Sequence, residues 1–458
     1  MQDVTTRQSV LFPDLLGKSV VAKFDETHGS SDGGAVLLQA ADQRLRLSEQ
    51  LAACLRDRRQ PGKVTHEVVE LFRQRLFAIA CGYADCNDAA RLADDPIHKM
   101  LVGRDPVDGD PLASQPTLSR FENAVPRTAL FRMADVLCDI VIEAQRRRRR
   151  GKAKWITIEL DPTDDPTHGR QQLSLFNAYY DTWCYLPIAG FLKFDDEPEQ
   201  HLFTCVLRPG KAPATLGALG ILHRTLAKLT DAFPKANILV RLDGGFASPE
   251  ILEYLEDAGL YYVVAMAKNS VLARLAEPLM KKAQRKSKRS GKTEHLYGAC
   301  RYAAKSWNWR RRVVFKAEVV RLEGRLPKDN ARFVITNLSD PPQALYEDVY
   351  CQRGDVENRI KELHHGLEID RTSCTRFLAN QFRVLMTAAA FVLMQALRTH
   401  ATGTSCARAQ VTTLRERLIK LGVRVEQSVR RIVLHFPAAF PFKSDWFHLA
   451  RALSAGVG

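Results

Sequence analysis

A chain of 458 residues is long enough for two to four domains with cores of their own, and its 45% hydrophobic and 26% charged composition excludes wholesale disorder. The 67 Lys and Arg against 52 Asp and Glu leave a formal charge of +15. That excess points to nucleic acid, whose phosphates attract cations regardless of sequence.

No apolar run approaches the roughly 20 residues needed to cross a bilayer, and the opening Met-Gln-Asp-Val-Thr-Thr-Arg lacks the basic-then-apolar layout of a secretory signal. The 10 cysteines include no C-x-x-C pair and no zinc-like spacing, so reduced, mostly buried thiols of a cytosolic protein are expected. Residues 1–150 read as mostly helical. Glu67 to Gly82 carries apolar residues near a helical repeat and ends on glycine, and a short helix from Cys86 to Leu92 follows. Asp94 to Pro116 reads as a loop rich in Pro, Gly and Asp. The helix at Ser114 to Asn123 suits either a bundle or a major-groove reader. The helix Thr128 to Ala144 runs into five arginines, Arg146 to Arg150, which mark a domain boundary and a DNA-facing edge. His28 to Gly34 is Gly-rich but lacks the Lys-Ser/Thr ending of a phosphate loop, so it reads as a loop and helix cap.

After Gly151 the pattern becomes strand-like. Lys154 to Asp161 is a β-branched apolar run ending on an acid; strands follow at Trp183 to Phe194 and His201 to Leu207, then a helix at Leu216 to Phe233. Asn237 to Asp243 is a second strand ending on an acid. Pro249 to Ala258 is a helix capped by Ser248, and Tyr261 to Met266 a further strand. The order β-β-β-α-β-α-β argues for a mixed α/β sheet flanked by helices. It is also the order of the ribonuclease-H-like fold, which sets the ends of its first and fourth strands side by side. Four regions are therefore expected: a helical DNA-binding part at 1–150, a ribonuclease-H-like catalytic core at 151–267 and 341–400, a β-rich insertion at 268–340, and a helical C-terminal region at 401–458. Within the insertion, Lys281 to Lys292 reads as a mobile basic loop, and Arg312 to Leu322 and Arg332 to Leu338 as strands. Gln381 to Arg398 and Val411 to Leu434 read as C-terminal helices and are candidates for a dimer interface.

Two aspartates at the ends of apolar strands suit a hard cation, which takes oxygen ligands. A third element is more specific. Tyr350, Arg353, Glu357, Lys361 and His364 stand at offsets 0, 3, 7, 11 and 14, within an arc of roughly 80° on an ideal helix. Val356, Ile360, Leu363 and Leu367 form the neighbouring apolar stripe, which would press the helix onto the sheet.

Asp161-Pro162-Thr163, Arg241-Leu242-Asp243-Gly244-Gly245-Phe246 and Tyr350-x2-Arg353-x3-Glu357 resemble the three catalytic blocks of the DDE transposases of bacterial insertion sequences. The likeness is greatest to the branch with a β-rich insertion between the second and third acids, and it covers roughly residues 15–435. Asp165-Pro166-Thr167-His168-Gly169-Arg170-Gln171, Asn358 to Leu363 and Asn380-Gln381-Phe382-Arg383 extend it. The resemblance implies that Asp161, Asp243 and Glu357 bind metal, with Asp164 and Asp165 as competitors for the first place. It implies two Mg²⁺ ions, for which Mn²⁺ can substitute, about 3.5–4 Å apart. Tyr350 and Arg353 would contact phosphates near the cleaved end. The family pattern continues with a lysine where this chain has His364, and Lys361 lies one turn earlier, so either Lys361 or His364 supplies that phosphate contact. Metal-dependent nicking, second-strand release and transfer into target DNA follow from the resemblance, with terminal inverted repeats and target duplex as partners, a homodimer on DNA, no membrane partner, and a bacterial, nucleoid-associated location in the cytoplasm. A related metal nuclease without joining activity and an inactive, transposase-derived DNA-binding protein are the alternatives. In the insertion, Trp307, Trp309 and Arg310 interleave aromatic and cationic side chains, a composition suited to stacking on an unpaired base or, equally, to burying one tryptophan in a small β core.

Overall fold

A computed structural model describes residues 10–15 and 18–455; the opening heptapeptide read above lies outside them. Its centre is an eight-stranded sheet built from β1 (Trp155–Pro162), β2 (Ile188–Phe194), β3 (Gln200–Val206), β4 (Asn237–Leu242), β5 (Tyr261–Met266), β6 (Glu294–Tyr302), β7 (Arg311–Val320) and β8 (Lys328–Thr336). The spatial order is β6-β7-β8-β5-β4-β1-β2-β3. β1 to β3 form an antiparallel meander, β4 lies parallel to β1, and β5 lies parallel to β4. This is the ribonuclease-H-like arrangement. Leu160 pairs with Leu242, so the next residues along the chain, Asp161 near the end of β1 and Asp243 just past β4, stand at the same end of these two strands.

The sheet has two different faces because side chains alternate along each strand. Ile156, Ile158, Leu160, Val240, Leu242 and Val264 are buried on one face. Among the helices that contribute to the main core are α1 (Val68–Cys81), α2 (Arg127–Arg148), α3 (Ala218–Ala232) and α4 (Pro249–Asp257). Ser248 caps α4, its hydroxyl accepting from the Ile251 amide at 3.3 Å. The opposite face carries Leu239, Val263, Val314 and Val334, which pack with Leu345 and Tyr346.

Several expectations are corrected. Residues 281–290 are the end of a helix, α5 (Ser270–Ser290), because Leu272, Ala276, Met280, Ala283 and Ser287 repeat at helical spacing and are buried. The insertion contributes three strands, and β8 pairs with β5, so its strands widen the central sheet. The stretch 183–194 is interrupted at Leu186-Pro187, and Pro96–Val102, inside the predicted loop, is helical with Asp95 accepting from the His98 amide. Helix Gln115–Asn123 buries Leu118 and Glu122 within the bundle. The C-terminal region is not wholly helical: Val423–Ser428 and Arg431–His435 form a hairpin that pairs with Gly29–Ser30.

Among the described residues one helix, α7 (Phe377–His400), is long and apolar enough to cross a membrane, contrary to the reading of the sequence, but 89% of its most apolar stretch is buried inside the protein. The short helix that carries the third acid, α6 (Gly354–Lys361), precedes it. The Gly-rich loop has a packing explanation. A Cβ at Gly34 would stand 1.7 Å from the Leu418 carbonyl oxygen, so the loop needs glycine to lie against the C-terminal segment.

Candidate active site

β1 and β4 each carry a charge inside an apolar strand, two residues before the terminal acid. Glu159 and Arg241 are neighbours in register and both are buried. The Arg241 Nε donates to Glu159 Oε1 at 2.6 Å, and Gln200 Nε2 donates to Glu159 Oε2 at 2.5 Å. Arg241 then donates from Nη1 to the Val349 carbonyl at 2.6 Å, and Lys193 Nζ donates to Gln352 Oε1 at 3.0 Å. Two strand side chains therefore hold the backbone and a side chain of segment 345–353. That segment leads directly into α6 and so sets where Glu357 stands.

The segment is not a regular helix. Leu345–Tyr350 and Glu362–Gly366 are π-helical, with a 3₁₀ turn at Cys351–Arg353 between the first of them and α6. Such insertions shift the phase of a helix face and gather at functional sites. The face nevertheless holds together: Arg353 and Glu357 meet one turn apart, and His364 reaches Thr163 at the end of β1.

The three acids converge on one guanidinium. Arg353 Nη2 lies 2.7 Å from Asp161 Oδ1 and 3.8 Å from Asp243 Oδ2, and its Nη1 lies 3.7 Å from Glu357 Oε1. Asp161 is buried, Asp243 partly exposed and Glu357 exposed. Burial pushes Asp161 up to about 6, against the Arg353 guanidinium, and the Asp243 and Glu357 carboxylates push in the same direction as burial. Asp243 accepts from the Gly245 amide at 2.8 Å, and a Cβ at Gly245 would press on Asp243 Oδ1 at 3.1 Å. At Gly245 that Cβ would also stand 2.8 Å from the Ala214 Cβ, so this position needs glycine.

Oxygen-only donors from three elements, crowded around a positive charge, suit a hard divalent cation. The guanidinium lies where that charge belongs, so the donor set fits the metal that the sequence implies. Among the described residues, the group of acid, Cys and His ligand atoms lying within 4.8 Å of one another is elsewhere: Asp32, Cys81 and His98. There the Lys420 ammonium already sits 2.7 Å from Asp32 Oδ1, and His98 Nε2 lies 2.9 Å from Oδ2. That buried carboxylate is neutralised by protein.

Of the other predicted site residues, Tyr350 is half-buried beside Arg353, and its ring centroid lies 5.5 Å from that of Tyr346. Lys361 is exposed and makes no ion pair among the described residues. His364 is tied down, with Nε2 3.0 Å from Thr163 Oγ1 and Nδ1 3.2 Å from Asp370 Oδ2. Asp165 is not among the acids paired with Arg353: Thr372 donates to its carboxyl oxygens, and burial pushes it up to about 8. The insertion residues are not brought to the acids. The row Leu242, Val264, Ile335, Val313 crosses the sheet just inside the acids, and Arg311 lies two positions from Val313 in the opposite direction. Trp307, Trp309 and Arg310 precede it at that far edge. Trp307 is buried and capped by Arg311, which corrects its reading as a base-stacking platform; Trp309 is exposed but also carries the Arg311 guanidinium on its ring.

Glu159, Gln200, Lys193 and Gln352 were missed by sequence reading. The signal was present for the first of them: a buried-looking acid and arginine at matching places in two parallel strands form a pair.

No curated protein matches this chain. The cryo-EM structure of the piggyBac transposase synaptic complex with hairpin DNA is similar, at 10% identity over 84% of this chain and 79% of that one, with a TM-score of 0.43. The family model described as "Transposase DDE domain group 1" matches residues 12–456. With nearly its whole length matched and its three acids drawn to one point, the chain belongs to the DDE transposases.

Proposed function

We propose that Asp161, Asp243 and Glu357 are the metal ligands of this transposase, and that it performs cut-and-paste transfer, cleaving at the ends of its element and joining them to target DNA. One observation carries the reading: carboxylates from a first strand, a fourth strand and a later helix meet around a single positive charge. Asp161, Asp243 and Glu357 would hold a pair of divalent ions, Mg²⁺ or Mn²⁺, which would supply activation of the attacking oxygen and stabilisation of the leaving 3′-oxygen. The chain's own residues do the rest. Arg353 leaves the acids to hold a phosphate oxygen, a planar donor matched to a planar or tetrahedral anion. Lys361, exposed one turn beyond Glu357, supplies the second phosphate contact, while His364 fixes Thr163 beside the first acid. Tyr350 borders the same phosphate. The two ends are paired by a homodimer, and the protein acts on the nucleoid of a bacterial cytoplasm.

The test uses purified protein, linear DNA carrying the inverted repeats that flank the gene, and Mg²⁺. Cleaved and joined products are expected, and Glu357→Gln removes both while binding persists. Cleavage without joining would make the protein a metal nuclease, and full cleavage by Glu357→Gln would remove Glu357 from the site.

A further inference from the structure

The protein carries two dense basic runs, and its structure treats them differently. Arg146 and Arg147 pair with Glu143, Arg148 with Glu197, and Arg149 with Asp195 and Glu197. Four of its five arginines thus share three carboxylates within the fold, which leaves that run largely paired. The second run is the end of α5. Lys281 pairs with Glu277 and Lys286 with Glu294. Lys282, Arg285, Lys288, Arg289 and Lys292 are exposed and without an ion pair among the described residues. More than a helix end needs is present here, since the macrodipole accounts for about half a charge.

The helix is held rigidly. Met280 and Ala283 pack with Ala317 and Val319 of β7, Gln284 donates to Asp329 at 2.6 Å, and Arg321 donates to Ser287 Oγ at 2.8 Å. Its position follows from strand register. Ile335 stands in the row of Leu242, while Lys328 pairs with Val320 seven positions further along β8, on the side of the sheet where Asp161 and Asp243 emerge. At about 3.3 Å per residue the β7–β8 hairpin extends roughly 20 Å past the acids, and the basic end of α5 rides on it. A duplex is about as wide as that overhang is long.

We infer that the outward face of α5, centred on Lys282, Arg285 and Arg289, is a docking surface for the phosphate backbone of duplex DNA. It rests on the transposase reading only for the identity of the polyanion. Unpaired cations projecting on a fixed support, on the acid side of the sheet, gain binding free energy by releasing counterions from a polyphosphate. The backbone can belong to the element end or to the target, and the two are separated experimentally.

Binding of the full-length protein to an element-end duplex and to an unrelated duplex is measured by anisotropy across a salt series. The triple variant Lys282→Gln, Arg285→Gln, Arg289→Gln is compared with wild type and with Arg285→Lys, Arg289→Lys. The slope of log K against log salt is expected to flatten by about 2–3 for the triple variant, near 0.9 per lost phosphate contact, and to be kept by the lysine variant. Flattening on either duplex supports the surface and identifies whose backbone it holds. Unchanged slopes on both overturn it. Glu357→Gln, run in parallel, should keep the wild-type slope while losing cleavage. A wild type that never cleaves, yet shows the α5-dependent slope, would remove the transfer reading and leave this surface standing.

Discussion

Asp165 lies four residues beyond Asp161, and its surroundings are different in kind. It is buried, bonded by Thr372, and pushed up to about 8. The folded protein therefore holds a proton there that the unfolded chain releases near 3.8. Ionisation favours the unfolded state, so stability falls as pH rises from about 4 to about 8 and then levels off, by about 1.4 kcal/mol per pH unit at most. Asp165→Asn keeps an acceptor for Thr372 and removes that slope. The variant is expected to gain on wild type in chemical denaturation between pH 5 and about 8; equal pH profiles would show that Asp165 is ionised in the fold. Arg353 allows a second prediction. Its guanidinium competes with any cation for the three carboxylates, so Arg353→Ala should bind Mg²⁺ about tenfold more tightly in the absence of DNA, read by thermal shift or calorimetry. Weaker binding would mean that Arg353 organises the acids instead of blocking them.

At the scale of elements, the third acid depends on a clamp made by strands. Arg241 bridges Glu159 and the Val349 carbonyl in a buried setting. Removing one partner of such a pair leaves an uncompensated charge, so Arg241→Ala should cost about 3–5 kcal/mol in urea unfolding. Arg241→Lys keeps the charge but loses the fork that reaches both partners. It should stay folded and lose cleavage, because segment 345–353 is no longer held at the sheet. Strand-end acids and the order of strands were legible in the sequence, since alternation and β-branching are local signals. The π turns around α6 were not, because no residue type announces them. Lys281 to Lys292 was misread for a related reason: charge density suggested a solvated loop, while the buried stripe from Leu272 to Ser287 that makes it a helix uses the small residues Ala276, Ala283 and Ser287 at three of its five positions. Trp307 looked available because sequence does not show which aromatic side chains a small β layer covers.

For the whole molecule, the catalytic sheet is wrapped by parts far apart in sequence. α7 lies buried against β3, α1 and α2, and the Val423–Ser428 strand meets Gly29–Ser30. The buried Asp32, held by His98 and Lys420, joins the N-terminal loop to the C-terminal segment. Pairings of this separation are invisible to local pattern, and for this reason the C-terminal hairpin was read as helix. Among the described residues the same cluster offers a competing place for a metal, so the location of bound metal is the decisive quantity. Fe²⁺ substituted for Mg²⁺, with ascorbate and peroxide, cleaves the backbone close to its own site, and mass spectrometry maps the cuts. Cuts clustered near Asp161, Asp243 and Glu357, suppressed by excess Mg²⁺ and lost in Asp243→Ala, are the predicted result. Cuts near Asp32, Cys81 and His98 that survive Asp243→Ala would contradict the assignment of the three acids.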